Sequence, residues 1–251
     1  MIDNYDALTL GAYMRVNAVL ETDADELQKQ VEIIAILADK SPDEVLLLPL
    51  TDYAELAKEP AFLRVPCKPA EVNEDWRLGE LVPVMDYRKI NTAQYVDFQT
   101  FAKGFPGTLP ELLSVFLVPE GKAYNDGYDV AEVQERVRAV PFPVALGLAA
   151  FFFRAVSQIN RGFTNLLGYG SGEDAGQEGE GADDGEGGGG GSTFAEHWGW
   201  IANVDRAAET MRCSWDEVWT MPAVQFLNTL AYRRDKSEWE KEAMEAWKRS
   251  H

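Results

Sequence analysis

Residues 27–45 read LQKQVEIIAILADKSPDEV, and whether they form helix or strand decides the class of the N-terminal half. Leu27, Val31, Ile34, Ala35 and Ala38 recur at steps of three and four, which is the spacing of one face of a helix and not the alternation of a strand. The acids Asp23, Asp25 and Glu26 stand just before this face, where the positive end of a helix dipole favours them. The stretch closes on Ser41, Pro42 and Glu44, a capping box with proline at the first helical position, so a second helix begins almost at once. Two helices joined by a few residues point to a mainly α protein.

Working outward from this pair, residues 9–20 form a further helix with Ala12, Val16, Val19 and Leu20 on its apolar face. On the other side, EVLLL (44–48) is a short helix that stops at Pro49, and another runs from Thr51 or Asp52 through Tyr53, Leu56 and Ala57 to about Leu63. Between Trp76 and Asp86 the valines, a glycine and a proline disfavour helix and allow a small β-hairpin or an extended edge. Helical spacing returns over 92–102, and residues 130–139 form a short helix ended by Pro141. An apolar helix over about 143–167 closes the N-terminal domain. The longest apolar run, residues 140–153, is 14 residues with two prolines. A bilayer span needs about 20, so this is expected to be a buried helix, with no membrane partner.

The segment GEDAGQEGEGADDGEGGGGGST (172–193) holds ten of the 21 glycines and seven acids, with no base and no apolar residue larger than alanine. Ordering it would cost backbone entropy with no buried area in return, so it is expected to be a disordered Gly/Asp/Glu-rich linker. It lacks the Gly-Lys of a phosphate loop, and GYGSG (168–172) has Tyr169 where a nucleophile elbow needs glycine two residues before its serine, Ser171. The expected organisation is a helical N-terminal domain over 1–170, the linker over 171–193, and a helical C-terminal domain over 194–251. These three parts carry net charges of −10, −7 and −2 within the total of −19. No Lys/Arg cluster suited to phosphates is present, which argues against nucleic acid as a partner.

Six of the seven tryptophans fall after the linker, and so small a domain is expected to use them as core. Phe194, Trp198, Ile201, Ala208 and Met211 share one helical arc, Ser214 and Glu217 make another capping box, and Pro222 opens a long last helix. Three helices result. Along the last one Ala223, Phe226, Leu227, Leu230 and Ala231 form one stripe. Trp239, Ala243 and Ala246 project from nearly the opposite side, and together with Trp247 they are the candidate partner-binding residues. The competing reading is a bend at RRDKS (233–237) that folds the tail back.

Chemistry has little to work with. Of two histidines, His197 is expected to border an aromatic core and His251 is terminal. Cys67 and Cys213 show no paired spacing, which fits a reducing compartment, and MIDNYDALTL opens without the pattern of a secretory signal. Asn125, Asp126 and Gly127 read as a turn without calcium-loop spacing. The acid pairs stand at helix starts, so the expectation is a protein with no catalytic residues, no cofactor and no metal, and not an enzyme.

Three stretches in this order, LTLGAYMRV (8–16), LQKQVEIIAILADKSPDEVLLLPLTDYAELA (27–57) and INTAQYVDFQTF (90–101), resemble the tail assembly chaperones of tailed bacteriophages. The resemblance is strongest over residues 8–63. It implies a helical N-terminal domain followed by a separate C-terminal extension, a location in the cytoplasm of the bacterial host, and two partners: the tape measure protein, which the chaperone coats, and the tail tube protein. Two other roles use the same helices: a structural tail or neck component kept in the virion, and an acidic host-directed binding protein. The segment over 76–90 and the acidic linker depart from simpler members of that family.

Overall fold

The structure is a computed structural model that describes residues 2–73, 75–164, 166 and 198–250. The expected linker, Phe194 and both histidines lie outside the described residues. The protein is mainly α: eleven α-helices and a single two-stranded sheet are found among the described residues. Two compact units can be distinguished, Met1–Met85 with Thr100–Phe153, and Asp86–Gln99 with Arg154–His251.

In the first unit, α1 (Leu10–Leu20) starts at Thr9, whose hydroxyl accepts from the Ala12 amide. Helix α2 (Glu26–Ala38) starts at Asp25, whose carboxylate accepts from the Gln28 amide at 2.8 Å. Helix α2 is buried on two sides. Ile33 and Leu37 join Leu8, Val16 and Val19 in one cluster, while Val31, Ile34 and Ala35 join Val45 in another. Leu20 and Leu27, expected on the apolar faces, are instead exposed, each at a helix end.

The capping box at Ser41 is present: the Ser41 amide donates to Glu44 at 2.7 Å and the Glu44 amide donates to Ser41 Oγ at 3.2 Å, opening α3 (Pro42–Leu46). Helix α4 (Leu50–Leu56) is shorter than expected. It gives way to a 3₁₀ turn over Glu59–Arg64, where Pro60 supplies no amide and crowds the preceding turn. The extended segment after Trp76 contributes β1 (Leu81–Pro83), but its antiparallel partner is the distant β2 (Leu117–Pro119), not a local hairpin arm. Directly before β2 runs α6 (Leu109–Phe116), in which every residue except Glu111 is buried. Helix α7 (Val130–Arg138) is capped by Asp129.

Helix α8 (Phe142–Arg161) is long and apolar enough by length and composition to cross a membrane, and 56% of its most apolar window is buried against protein. Its buried positions Ala145, Leu148, Ala149 and Phe152 repeat at helical spacing, as in a core helix. Phe142 stacks on Tyr13 at 3.6 Å and Phe152 packs on Phe116 at 4.7 Å. At Gly147 the backbone at Ala70 comes so near that an added Cβ would lie 2.2 Å from the Ala70 carbonyl oxygen.

The second unit departs from the expected division at residue 170. It takes in residues 86–99, including most of α5 (Thr92–Ala102), together with the end of α8 and the three last helices. These are α9 (Trp200–Met211), α10 (Trp215–Thr220), opened by the Ser214–Glu217 capping box, and α11 (Ala223–Ser250). Residues 90–92 pair with 221–223: the Thr92 amide donates to Met221 O at 2.9 Å and the Ala223 amide to Ile90 O at 2.8 Å. A further capping box opens α5, with Asn91 and Gln94 each accepting the other's amide while both are buried. The core holds Ile90, Tyr95, Val204, Ala207, Val218, Ala223, Phe226 and Leu227. Tryptophan builds little of it. Trp200 packs between Tyr95 and Phe226, whereas Trp198, Trp215, Trp239 and Trp247 are exposed, as is Ile201. Residues 86–99 supply apolar area that the tryptophans were expected to provide.

Candidate interaction surface

Helix α11 sets the geometry of the surface. It is one uninterrupted helix through Arg233, Asp235 and Ser237, so the bend that would fold its tail back does not occur. Its core stripe ends at Leu230, and every residue over 238–250 is exposed. At a rise of about 1.5 Å per residue these thirteen residues extend roughly 20 Å beyond the packed part of the helix. Ion pairs along the tail join Arg234 to Glu238 at 3.8 Å, Lys236 to Glu240 at 3.7 Å and Arg249 to Glu245 at 3.9 Å. Exposed pairs of this kind each contribute only a few tenths of a kcal/mol.

The four candidate residues Trp239, Ala243, Ala246 and Trp247 all lie on this exposed tail, with Trp239 at 66% and Trp247 at 61% exposure. Because the helix is continuous, their direction follows from about 100° of rotation per residue, which places Trp239 and Ala246 nearly opposite Phe226 and Leu230, with Ala243 and Trp247 turned progressively to one side of them. The same rotation adds a residue that the sequence reading passed over. Tyr232, 62% exposed, faces the way Trp239 does, and Gln225 and Thr229 continue that line toward the start of the helix. Positions 225, 229, 232, 236, 239, 243, 246 and 250 thus alternate steps of four and three, the spacing of a coiled-coil seam, with Tyr232, Trp239, Ala243 and Ala246 apolar and Gln225, Thr229, Lys236 and Ser250 polar. The signal was legible by stepping backward from Trp239.

Near the start of the helix this line borders an open groove of about 540 Å³, walled on its far side by Thr210 and Met211 at the end of α9. Thr229 Oγ1 lies 3.3 Å from Met211 Sδ at its floor. The groove and the exposed stripe are one continuous face, apolar at Met211, Pro222, Tyr232, Trp239, Ala243, Ala246 and Trp247 and interrupted by Lys236. A helix laid along it would meet two tryptophans over small residues, the shape that admits a close helical neighbour.

Elsewhere the side chains show structural chemistry. The Cys67 thiol is pushed up by burial and by the nearby Asp6 carboxylate, which disfavours the nucleophilic thiolate. Tyr5 and Tyr13 are likewise raised by burial, and Tyr5 donates to Val65 O at 2.9 Å. Glu44 and Glu217 are held below the usual carboxylate range by the amides and hydroxyls of Ser41 and Ser214. Among the described residues, no three His, Cys, Asp or Glu side chains converge as a metal site. No protein-family model, curated protein or solved structure matches the chain.

Proposed function

We propose that this protein is an assembly chaperone of the bacteriophage tail type, which holds a helical stretch of the tape measure protein along the outer face of α11 while tail tube subunits are recruited. The observation that carries the reading is the line from Gln225 through Tyr232, Trp239, Ala243 and Ala246, flanked by Trp247, on a helix whose last thirteen residues are exposed. An isolated helix of that length is marginal in water. A partner helix that covers Tyr232, Trp239 and Trp247 would stabilise it, and Lys236 in the middle of the seam would favour a partner carrying an acid at the matching height. The order of motifs over residues 8–63 supports the same assignment.

The test is co-expression of the full chain with a long, helix-rich tape measure candidate. The wild-type chain should keep that client soluble and co-purify with it. The double variant Trp239→Ser, Trp247→Ser should lose capture by about tenfold or more, as expected for buried aromatic anchors. Both side chains are exposed in the free protein, so its helicity and melting point should stay unchanged. Equal capture by the variant would sink the reading. Absence of the protein from purified particles, measured by mass spectrometry, separates a chaperone from a structural component.

A further inference from the structure

The corner between α3 and α4 presents a second apolar surface, away from α11 in the chain. Leu46, Leu47 and Leu50 are exposed at 64%, 84% and 82%, while Val45 beside them is fully buried. Helix α4 has no buried residue at all. It leans on α2 through the half-buried Tyr53, Leu56 and Ala57, with the Tyr53 hydroxyl 3.4 Å from Gln30 Oε1. Single exposed leucines are ordinary, but three within five residues concentrate apolar surface at one corner, the kind of feature that marks interaction sites. The chemistry around the patch is mainly acidic. Residues 41–57 contain Asp43, Glu44, Asp52 and Glu55 and no base, with Lys40 and Lys58 at the two ends and Lys40 close enough to act on Glu44. Glu44 is kept ionised by its capping contacts with Ser41.

We propose that this corner docks a cationic amphipathic helix of a partner protein. The leucines receive its apolar stripe, and the four carboxylates meet Lys or Arg residues along the stripe's edges. The charge complementarity selects this occupant: the same carboxylates would repel the phosphates of an anionic membrane surface and the acid-rich surface of a second copy of this chain. Binding is therefore steered by charge and weakened by salt, while its specificity depends on the leucines.

The test uses the full chain and a short synthetic helix with a leucine stripe and lysine edges, labelled for fluorescence anisotropy, beside the same stripe with glutamate edges. The lysine-edged helix should bind and the glutamate-edged one should not. Leu47→Ser, Leu50→Ser should weaken binding by about tenfold, and Asp43→Asn, Asp52→Asn should weaken it less while flattening its salt dependence. Unchanged circular dichroism confirms that both variants fold. Trp239→Ser, Trp247→Ser should bind the probe as the wild type does, which separates this corner from the α11 face. The proposal is overturned by equal binding of the serine variant, by equal binding of the glutamate-edged helix, by leucine-dependent binding to anionic lipid vesicles, or by a leucine-dependent dimer in sedimentation.

Discussion

Gly147 is the position where α8 can least accept a side chain. The Ala70 carbonyl oxygen stands 2.2 Å from where its Cβ would be, and the Ala70 amide is tied to Pro143 O at 2.8 Å, so the crossing segment has little room to retreat. Gly147→Ala should therefore destabilise the first unit by about 2–3 kcal/mol in denaturant unfolding. Gly162→Ala, whose nearest neighbour would be 3.4 Å away, should change little. The two serine caps make a pH prediction. Glu44 and Glu217 have folded-state pKa values below those of the unfolded chain. Their contribution is complete above the unfolded glutamate value of about 4.3 and is lost as pH falls through the lower folded value. Ser41→Ala and Ser214→Ala should lower thermal stability at neutral pH and make its further loss on acidification shallower. Both boxes were legible in the sequence because the motif is local. The Asn91–Gln94 box follows the same three-residue rule with amides in place of hydroxyl and carboxylate, so it lacks the residue types by which the other two were read.

Elements were legible where one face is wet. Helices α1, α2, α5, α7 and α11 show apolar residues at helical spacing against polar ones. Helix α6 shows little such contrast, since every residue of LPELLSVF but Glu111 is buried, and it went unread for that reason. Strand β1 was readable as extended, but its pairing with Leu117–Pro119 is a long-range choice that no local pattern encodes. For α11, periodicity gave the direction of Trp239 and Trp247 and left open whether the chain bends before them, because a change of apolar face is compatible with either outcome. The straight helix carries an exchange prediction. Amides over 238–250 should exchange much faster than those over 226–231, whose helix face is packed on Val204 and Ala207 in the same core, and binding of a helical client should slow the tail selectively.

At the scale of the molecule, the glycine and acid content of residues 172–193 suggested a cut at 170, yet the compact units divide elsewhere. Composition marks where a chain has nothing to bury, and it does not reveal which earlier segment supplies the core of a later one. A fragment ending at 170 would lose Met221, Ala223 and Phe226 from around Ile90, Thr92 and Tyr95. Such a fragment should bind a hydrophobic dye and melt below the full chain, whereas a fragment ending after Arg234, which lacks only the exposed tail, should melt close to it.

Thr92 and Met221 are 129 residues apart in the chain, and their pairing orders the start of both α5 and α11. A ribosome adding about 5–20 residues per second delivers Met221 some 6–26 s after Thr92. For that interval Ile90 and Tyr95 leave the exit tunnel with their eventual cover still untranslated, so the newborn chain itself depends on slow, late closure. Synonymous codon changes that lengthen the delay between these two positions should raise the insoluble share of the product without altering one residue of it.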